Sequence, residues 1–370
     1  SLWAGYALAA QLLGKQTEIV ADLQHEVTYH PEEAQYYAPI STYQYQMGDH
    51  NASIQTLNAW EKAAPRDPDP ATYIVIQLDE MKKFADAARE GRLAIDRLQA
   101  TAPNIDKLRI ATATAQIHAG QATDASATVQ PLLNTANDST QLSSINAILA
   151  DTSTDLDRVH ASEQTVLDSE EKQTTEWSLT TVLNPDVVHR EASLAAAWDT
   201  FGWILFKQGK LEDAFSYCLA SASLADTISA HDHLTAIAAA MHKPSAIAIV
   251  KRPIQDFRTV HLAPSAGRHG VASVKLVLAA GKIVDKEVQP ASPSSTTPQL
   301  KDVDTLLANA DLHALFPPGS SAHLVRIAFV NCYTQSCDLA LMPVTLPSNS
   351  LRPSAPTRPL VGQLPRQQRR

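Results

Sequence analysis

The stretch WDTFGWILFKQGKLEDA, residues 198–214, decides how this chain is read. Trp198, Phe201, Gly202 and Leu205 recur at three- and four-residue intervals, which places all four on one face of a helix. Gly209 follows with Lys207 and Lys210 around it, the signature of a left-handed cap with cations at the negative end of the helix. Gly202 and Ala214 are too small to fill a core by themselves. Their size predicts that a second helix, beginning after Gly209, crosses the first at close range there.

The same pattern recurs along the chain. Gly14 and Gly48, and Pro31 and Pro65, each stand 34 residues apart. On that spacing Trp3, Tyr6, Ala7, Gly14, Leu23 and Pro31 align with Tyr37, Ile40, Ser41, Gly48, Leu57 and Pro65. Weaker copies run through Ala71, Ile74, Val75, Leu78, Ala87 and Ala94, and through Ala113, Gln116, Gly120, Ala125, Val129 and Leu132. Gly91 departs from the pattern, which expects a large residue there. Residues 139–192 fit the period poorly, and DSEEKQTTEW within them is expected on a solvated face or loop. SAHDHLTAIAAAMHKPSAIAIV is expected to add a final helix pair.

The series large, large, small, large, turn glycine, small, small at Trp198, Phe201, Gly202, Leu205, Gly209, Ala214 and Ser221 resembles the tetratricopeptide signature. This resemblance implies a mainly α fold, a TPR-like α-solenoid of helix hairpins over residues 1–250, in which stacking buries what no hairpin can bury alone. Beyond residue 250 the period gives way to alternating apolar runs. VASVKLVLAAGKIVDKEV predicts a hairpin turning at Ala280 and Gly281, and HLVRIAFVNCYTQSCDLALMPV a second. Between them lie the loop PASPSSTTP and a short helix marked by Val303, Leu306, Leu307 and Ala310. The order ββαββ, an α+β domain over 251–346, resembles the carboxy-terminal domain of TonB-type envelope proteins. It is similar, more closely still, to the module that ends certain acidobacterial-type tetratricopeptide proteins. Relatives of that kind carry a transglutaminase-like region upstream, and the chain's start inside the helical pattern SLWAGYALAAQLL implies preceding sequence. The aromatic pair common after the helix of TonB domains is missing, which argues against receptor docking of that type. The tail 347–370 mixes prolines with Arg352, Arg358, Arg366, Arg369 and Arg370 and has no acid, so it is expected to be disordered and to suit an acidic surface, if any.

Composition narrows function. A net charge of -9 argues against nucleic acid as the partner of the body of the chain, and no apolar run is long enough to cross a membrane. HEVTYH, His25–His30, has one residue too many for a zinc-protease helix, so no metal site is expected; His231 and His233 read as solvated or capping. No phosphate loop, nucleophile elbow or paired CxxC is present, no carboxylate stands in an apolar setting, and no cofactor or catalytic residue is expected. Cys332 and Cys337 flank YTQS and are read either as a hairpin disulfide or as two reduced thiols; Cys218 reads as a buried small hydrophobe.

Binding is what the repeat resemblance implies. By register, the side chains of the first helices that face a protein or peptide partner are Tyr45, Gln46, Asp79, Glu80, His118, Trp203, Phe206 and Lys207, with packing against the next hairpin as a second reading for Trp203 and Phe206. Gly202, Gly209 and Ala214 are structural. Thr42 and Ile76 stand where repeats that capture acidic chaperone tails carry asparagines, which argues against that ligand. The expectation is therefore a non-catalytic scaffold in the bacterial periplasm or cell envelope, a cytoplasmic place staying open. The alternative is an accessory fragment of a larger transglutaminase-like or peptidase enzyme. Self-association is a third possibility.

Overall fold

The computed structural model describes residues 14–242 apart from 137, 154 and 226, together with 257–261, 270–290, 307, 315–332 and 336–342. The expected helix of Trp3, Tyr6 and Ala7, the 291–299 loop, the second helix of the last pair and the tail 347–370 lie outside the described residues. So does the 303–310 helix except Leu307, which is helical and buried.

The chain forms two compact units, Ser1–Val166 and Leu167–Arg370; the change of composition at residue 250 falls inside the second. The first contains α1 (Gln16–Tyr29), α2 (Ala34–Gln46), α3 (His50–Ala63), α4 (Asp69–Glu80), α5 (Phe84–Arg97), α6 (Ile105–His118), α7 (Ala122–Val129), a 3-10 turn over Gln130–Asn134, and α8 (Ser139–Asp151). Helix α9 (Leu156–Thr174) spans the division. Helices α1, α3 and α5 begin at Gln16, His50 and Phe84, at the 34-residue spacing of the glycines. Successive apolar clusters explain why hairpins stack. Ile19, Val20 and Leu23 of α1 pack with Tyr36, Ile40 and Tyr43 of α2; Tyr37 of α2 then packs with Leu57, Trp60 and Ile74 of α3 and α4. Helix α2 thus shares its apolar side chains with α1 on one side and with α3 and α4 on the other, so neighbouring hairpins complete one another's cores.

The first helices α2, α4 and α6 end alike. Gly48 has φ +85°, its N–H donates to Tyr45, and Asp49 N–H donates back to Gln44 at 2.9 Å, the paired bonds of a Schellman cap. Helix α4 makes the same two bonds through Lys82 and Lys83, with Lys82 at φ 60° where the other copies have glycine. Gly91, the departure from the repeat, has a local cause: a Cβ there would lie 2.2 Å from Oγ1 of buried Thr112 on α6. Smallness at that position lets α5 lie against α6.

In the second unit, α10 (Pro185–Lys207) and α11 (Leu211–Leu224) form the hairpin read first from the sequence, and α12 (Ile228–Met241) follows. A Cβ at Gly202 would meet Cys218 Sγ at 2.6 Å and the Ala214 carbonyl at 3.1 Å, so the crossing is close. Gly209, at φ +79°, caps α10. The sheet has five antiparallel strands, β1 (Phe257–His261), β2 (Gly270–Ala279), β3 (Lys282–Pro290), β4 (His323–Cys332) and β5 (Ser336–Met342), in the order β1-β5-β4-β2-β3. Two hairpins fall where the alternation put them, β2–β3 turning at Ala280 and Gly281, both at positive φ. Strand β1 is an addition that its flanking prolines and arginines concealed.

One face of β2 and β4 carries Ala272, Val274, Leu276 and Leu278 beside Leu324, Ala328 and Val330, all buried. Arg326 sits in that row, and both oxygens of Glu191 on α10 accept from its Nη1, at 2.7 and 2.9 Å. The two side chains are only 4% and 1% exposed. Burial lifts the Glu191 carboxyl above its usual range and Arg326 opposes the rise. Carboxylates in apolar surroundings therefore exist here, contrary to the sequence reading, and they hold structure. DSEEKQTTEW is likewise corrected: Glu170, Glu171 and Thr174 are buried at the end of α9. Glu171 accepts from Trp198 Nε1 at 3.0 Å and from the Ser321 N–H at 2.7 Å. Lys275 of β2 donates to the Leu179 and Thr181 carbonyls in the α9–α10 connection. The sheet and the best repeat copy are thus parts of one body.

Candidate partner-binding site

Helices α2, α4 and α6 are the first members of consecutive hairpins, and α4 packs beside α6. A triangle buried between α2, α3 and α4 fixes two of them: Gln77 Nε2 donates to Ser41 Oγ at 2.9 Å, Gln77 Oε1 accepts from Ser53 Oγ at 2.7 Å, and the two hydroxyls lie 2.8 Å apart. Residues follow at 100° around α4. Ala71, Ile74 and Leu78 therefore point one way, into a cleft of about 350 Å³ shared with Ile54 of α3 and Leu93 of α5. Tyr73, Ile76 and Glu80 point the opposite way. Tyr73 and Ile76 are 36% and 41% exposed, the Tyr73 ring lying 5.9 Å from that of buried Trp60 on α3, so this face is apolar and partly open among the described residues.

Five of the eight predicted contact residues meet where these three helices end. Tyr45 on α2 faces Glu80 on α4, and burial, followed by Glu80, pushes the phenol up to about 12. His118 Nδ1 on α6 lies 2.8 Å from Asp79 Oδ1, and that bond first, against desolvation, raises the imidazole. Gln46 is exposed beside them. The Asp79–His118 bond thus clips the last turn of α4 to that of α6, with Tyr45 of α2 beside Glu80.

Trp203, Phe206 and Lys207 belong to the second unit and form their own cluster. The Trp203 ring stacks on His233 of α12 at 4.1 Å and on Phe206 at 4.9 Å, with Lys207 Nζ 4.6 Å from its centroid. His233 is held by Asp199 Oδ2 at 3.0 Å, so it bonds within the fold where the sequence suggested a solvated or capping side chain. These contacts join α10 to α12.

Sequence reasoning missed Tyr73 as a member of the face, although Tyr73, Ile76 and Glu80 at helical spacing carried the signal. It also missed the set His30, Glu32 and Glu33, the group of potential metal-ligand atoms found within 4.8 Å of one another among the described residues, which lies at the surface. Cys332 is disulfide-bonded, and the β4–β5 register sets Cys337 opposite it. Cys218 is free and buried, its thiol held well above the usual range by burial. Among the described residues no helix is long and apolar enough to cross a membrane.

The chain is similar in structure to PilW, a widely conserved type IV pilus biogenesis factor, at 8% identity and a TM-score of 0.34, over 68% of this chain and 97% of that one. It is similar also to the C-terminal part of a TPR repeat-containing protein from Cytophaga hutchinsonii, at 12% identity and a TM-score of 0.34, over 67% of this chain and 99% of that one. No protein-family model and no curated protein matches the chain.

Proposed function

We propose that this chain is a non-catalytic scaffold that holds a segment of another protein on the face of α2, α4 and α6. The observation that carries the reading is the exposure of Tyr73 and Ile76 on the side of α4 turned away from the cleft. Large apolar side chains left open together on a rigid face mark interaction sites. A photo-crosslinking residue at Ile76 is expected to trap a partner in cells, while the same residue at exposed Leu93, on the cleft side, traps none. Equal trapping at both positions, or none at Ile76, would reject the face.

The place of action we propose is the bacterial cell envelope, with the sheet as a TonB-like module for a second contact. The disulfide at Cys332 supports an oxidising compartment. Thiol alkylation of freshly lysed cells before mass spectrometry tests it. Alkylated Cys332 and Cys337 would move the protein to a reducing compartment. Trp203, Phe206 and Lys207 we assign to packing between α10 and α12, with Gly202, Gly209 and Ala214 shaping the hairpin.

A further inference from the structure

We propose that the segment held on this face is cationic: an extended stretch with an apolar side chain resting on Tyr73 and Ile76, and a lysine or arginine at the edge where α2, α4 and α6 end. The inference rests on the reading of that face as a peptide site and names the chemistry of its ligand. Helices α2 and α4 contain no lysine or arginine. Those of α6, Lys107 and Arg109, lie toward its beginning, at the other end of the face from His118. Asp79 and Glu80 stand at the edge, where three parallel helices present their carbonyl ends and their partial negative charges side by side. Glu80 is exposed and faces a neutral phenol, and no cation pairs with it among the described residues.

The cations of the first unit are largely spent elsewhere. Arg89 pairs with Asp86 and Glu90, Arg92 with Asp124 and Arg97 with Glu61, all on the second helices α3, α5 and α7. Lys15 and Arg158 pair with Glu18 and Asp155, Lys83 lines the cleft on the far side of α4, and Lys82 stands in the turn that follows Glu80. Residues 1–166 carry 11 Lys and Arg against 21 Asp and Glu, whereas 167–370 carry 19 against 18, so the whole acidic excess lies in the unit with the open face. That field steers cations toward it and repels acidic peptides. Three helices at their usual separation span roughly 20 Å, which an extended chain of about seven residues crosses, long enough to place one side chain on Ile76 and another at Glu80.

The test uses the full chain, immobilised, and three degenerate peptide pools about seven residues long, each sharing a leucine and carrying arginine, glutamate or glutamine near it. The arginine pool is expected to be retained about tenfold over the glutamine pool, in keeping with a charge-assisted bond, and the glutamate pool least. Glu80→Gln, which keeps the size and shape of the side chain, should remove most of that preference, and so should raised salt. Equal retention of the three pools, abolished by Ile76→Asn, would overturn the cationic assignment while leaving the peptide site standing. An arginine preference indifferent to Glu80→Gln would overturn the placement of the cation. Absence of retention, or retention indifferent to Ile76→Asn, would sink both readings. Thermal unfolding by circular dichroism checks that each variant is folded.

Discussion

The two units use the same hairpin and finish it differently. In the first, α2, α4 and α6 repeat one another, have Tyr45 beside Glu80 and Asp79 bonded to His118 at their ends, and keep an apolar face partly open. In the second, α10 is extended to 23 residues against the 12 of α4, and the added turns carry Glu191 to Arg326 of the sheet, with Trp198 bonded to Glu171 nearby. A repeat face left open costs little and is free to bind. One that receives a charged strand has to be sealed, because a buried ion without its partner is among the costliest defects a fold can carry. The contrast is in keeping with the proposal that the first unit holds a partner, while the second is braced by its buried ion pair.

The largest test of that contrast is Arg326→Ala, which strands Glu191 in the interior and should cost about 3–5 kcal/mol. Urea denaturation would read it. Replacing both partners by apolar residues of similar size should recover most of the loss, and a harmless single variant would mean that the sheet does not depend on α10. Next come the close crossings, one in each unit. Gly91→Val and Gly202→Val should each lower the denaturation midpoint by about 1–3 kcal/mol equivalent through overpacking, since their first added carbon already collides with Thr112 and Cys218. An unchanged midpoint at either site would loosen the packing argument there.

A gain is expected at the odd turn. Lys82→Gly removes a left-handed non-glycine residue and should stabilise the first unit by about 1 kcal/mol, seen as a higher melting temperature. The corresponding change is already present at Gly48 and Gly209. The smallest effect is pH-dependent. Because Asp79 raises His118, the pair stabilises the fold fully below the unfolded histidine value of about 6.5 and the contribution fades as pH rises through the raised folded value. Asp79→Asn should therefore cost about 0.2–1 kcal/mol in mildly acidic buffer, the range for a largely solvated pair, and less in alkaline buffer. A pH-independent cost would point to packing instead of charge.

Part of this architecture was legible without coordinates. The 198–224 hairpin, the glycine turns at 48 and 209, and both strand pairs follow from residue spacing, since helical and strand periods and left-handed caps are local properties. The candidate site was half legible. Tyr45, Asp79, Glu80 and His118 were placed on first helices by register, but not their joining into one edge, nor Tyr73 beside them. Trp203 carried the same sequence signal as a binding residue, and its ring turned out to be occupied by His233 and Phe206.

What the amino-acid order determined alone is therefore the hairpin: where each helix stops, where a neighbour must come close, and where strands turn. Only the tertiary structure decided which acids are buried. DSEEKQTTEW is as polar as any solvated loop, yet Glu171 ends inside, because Trp198 and the Ser321 backbone, 27 and 150 residues away, supply the donors that make its burial tolerable. Arg326 likewise looks like a strand's outward charge until Glu191 stands opposite. Local pattern reports the polarity of a side chain, whereas its environment depends on partners that chain spacing does not specify.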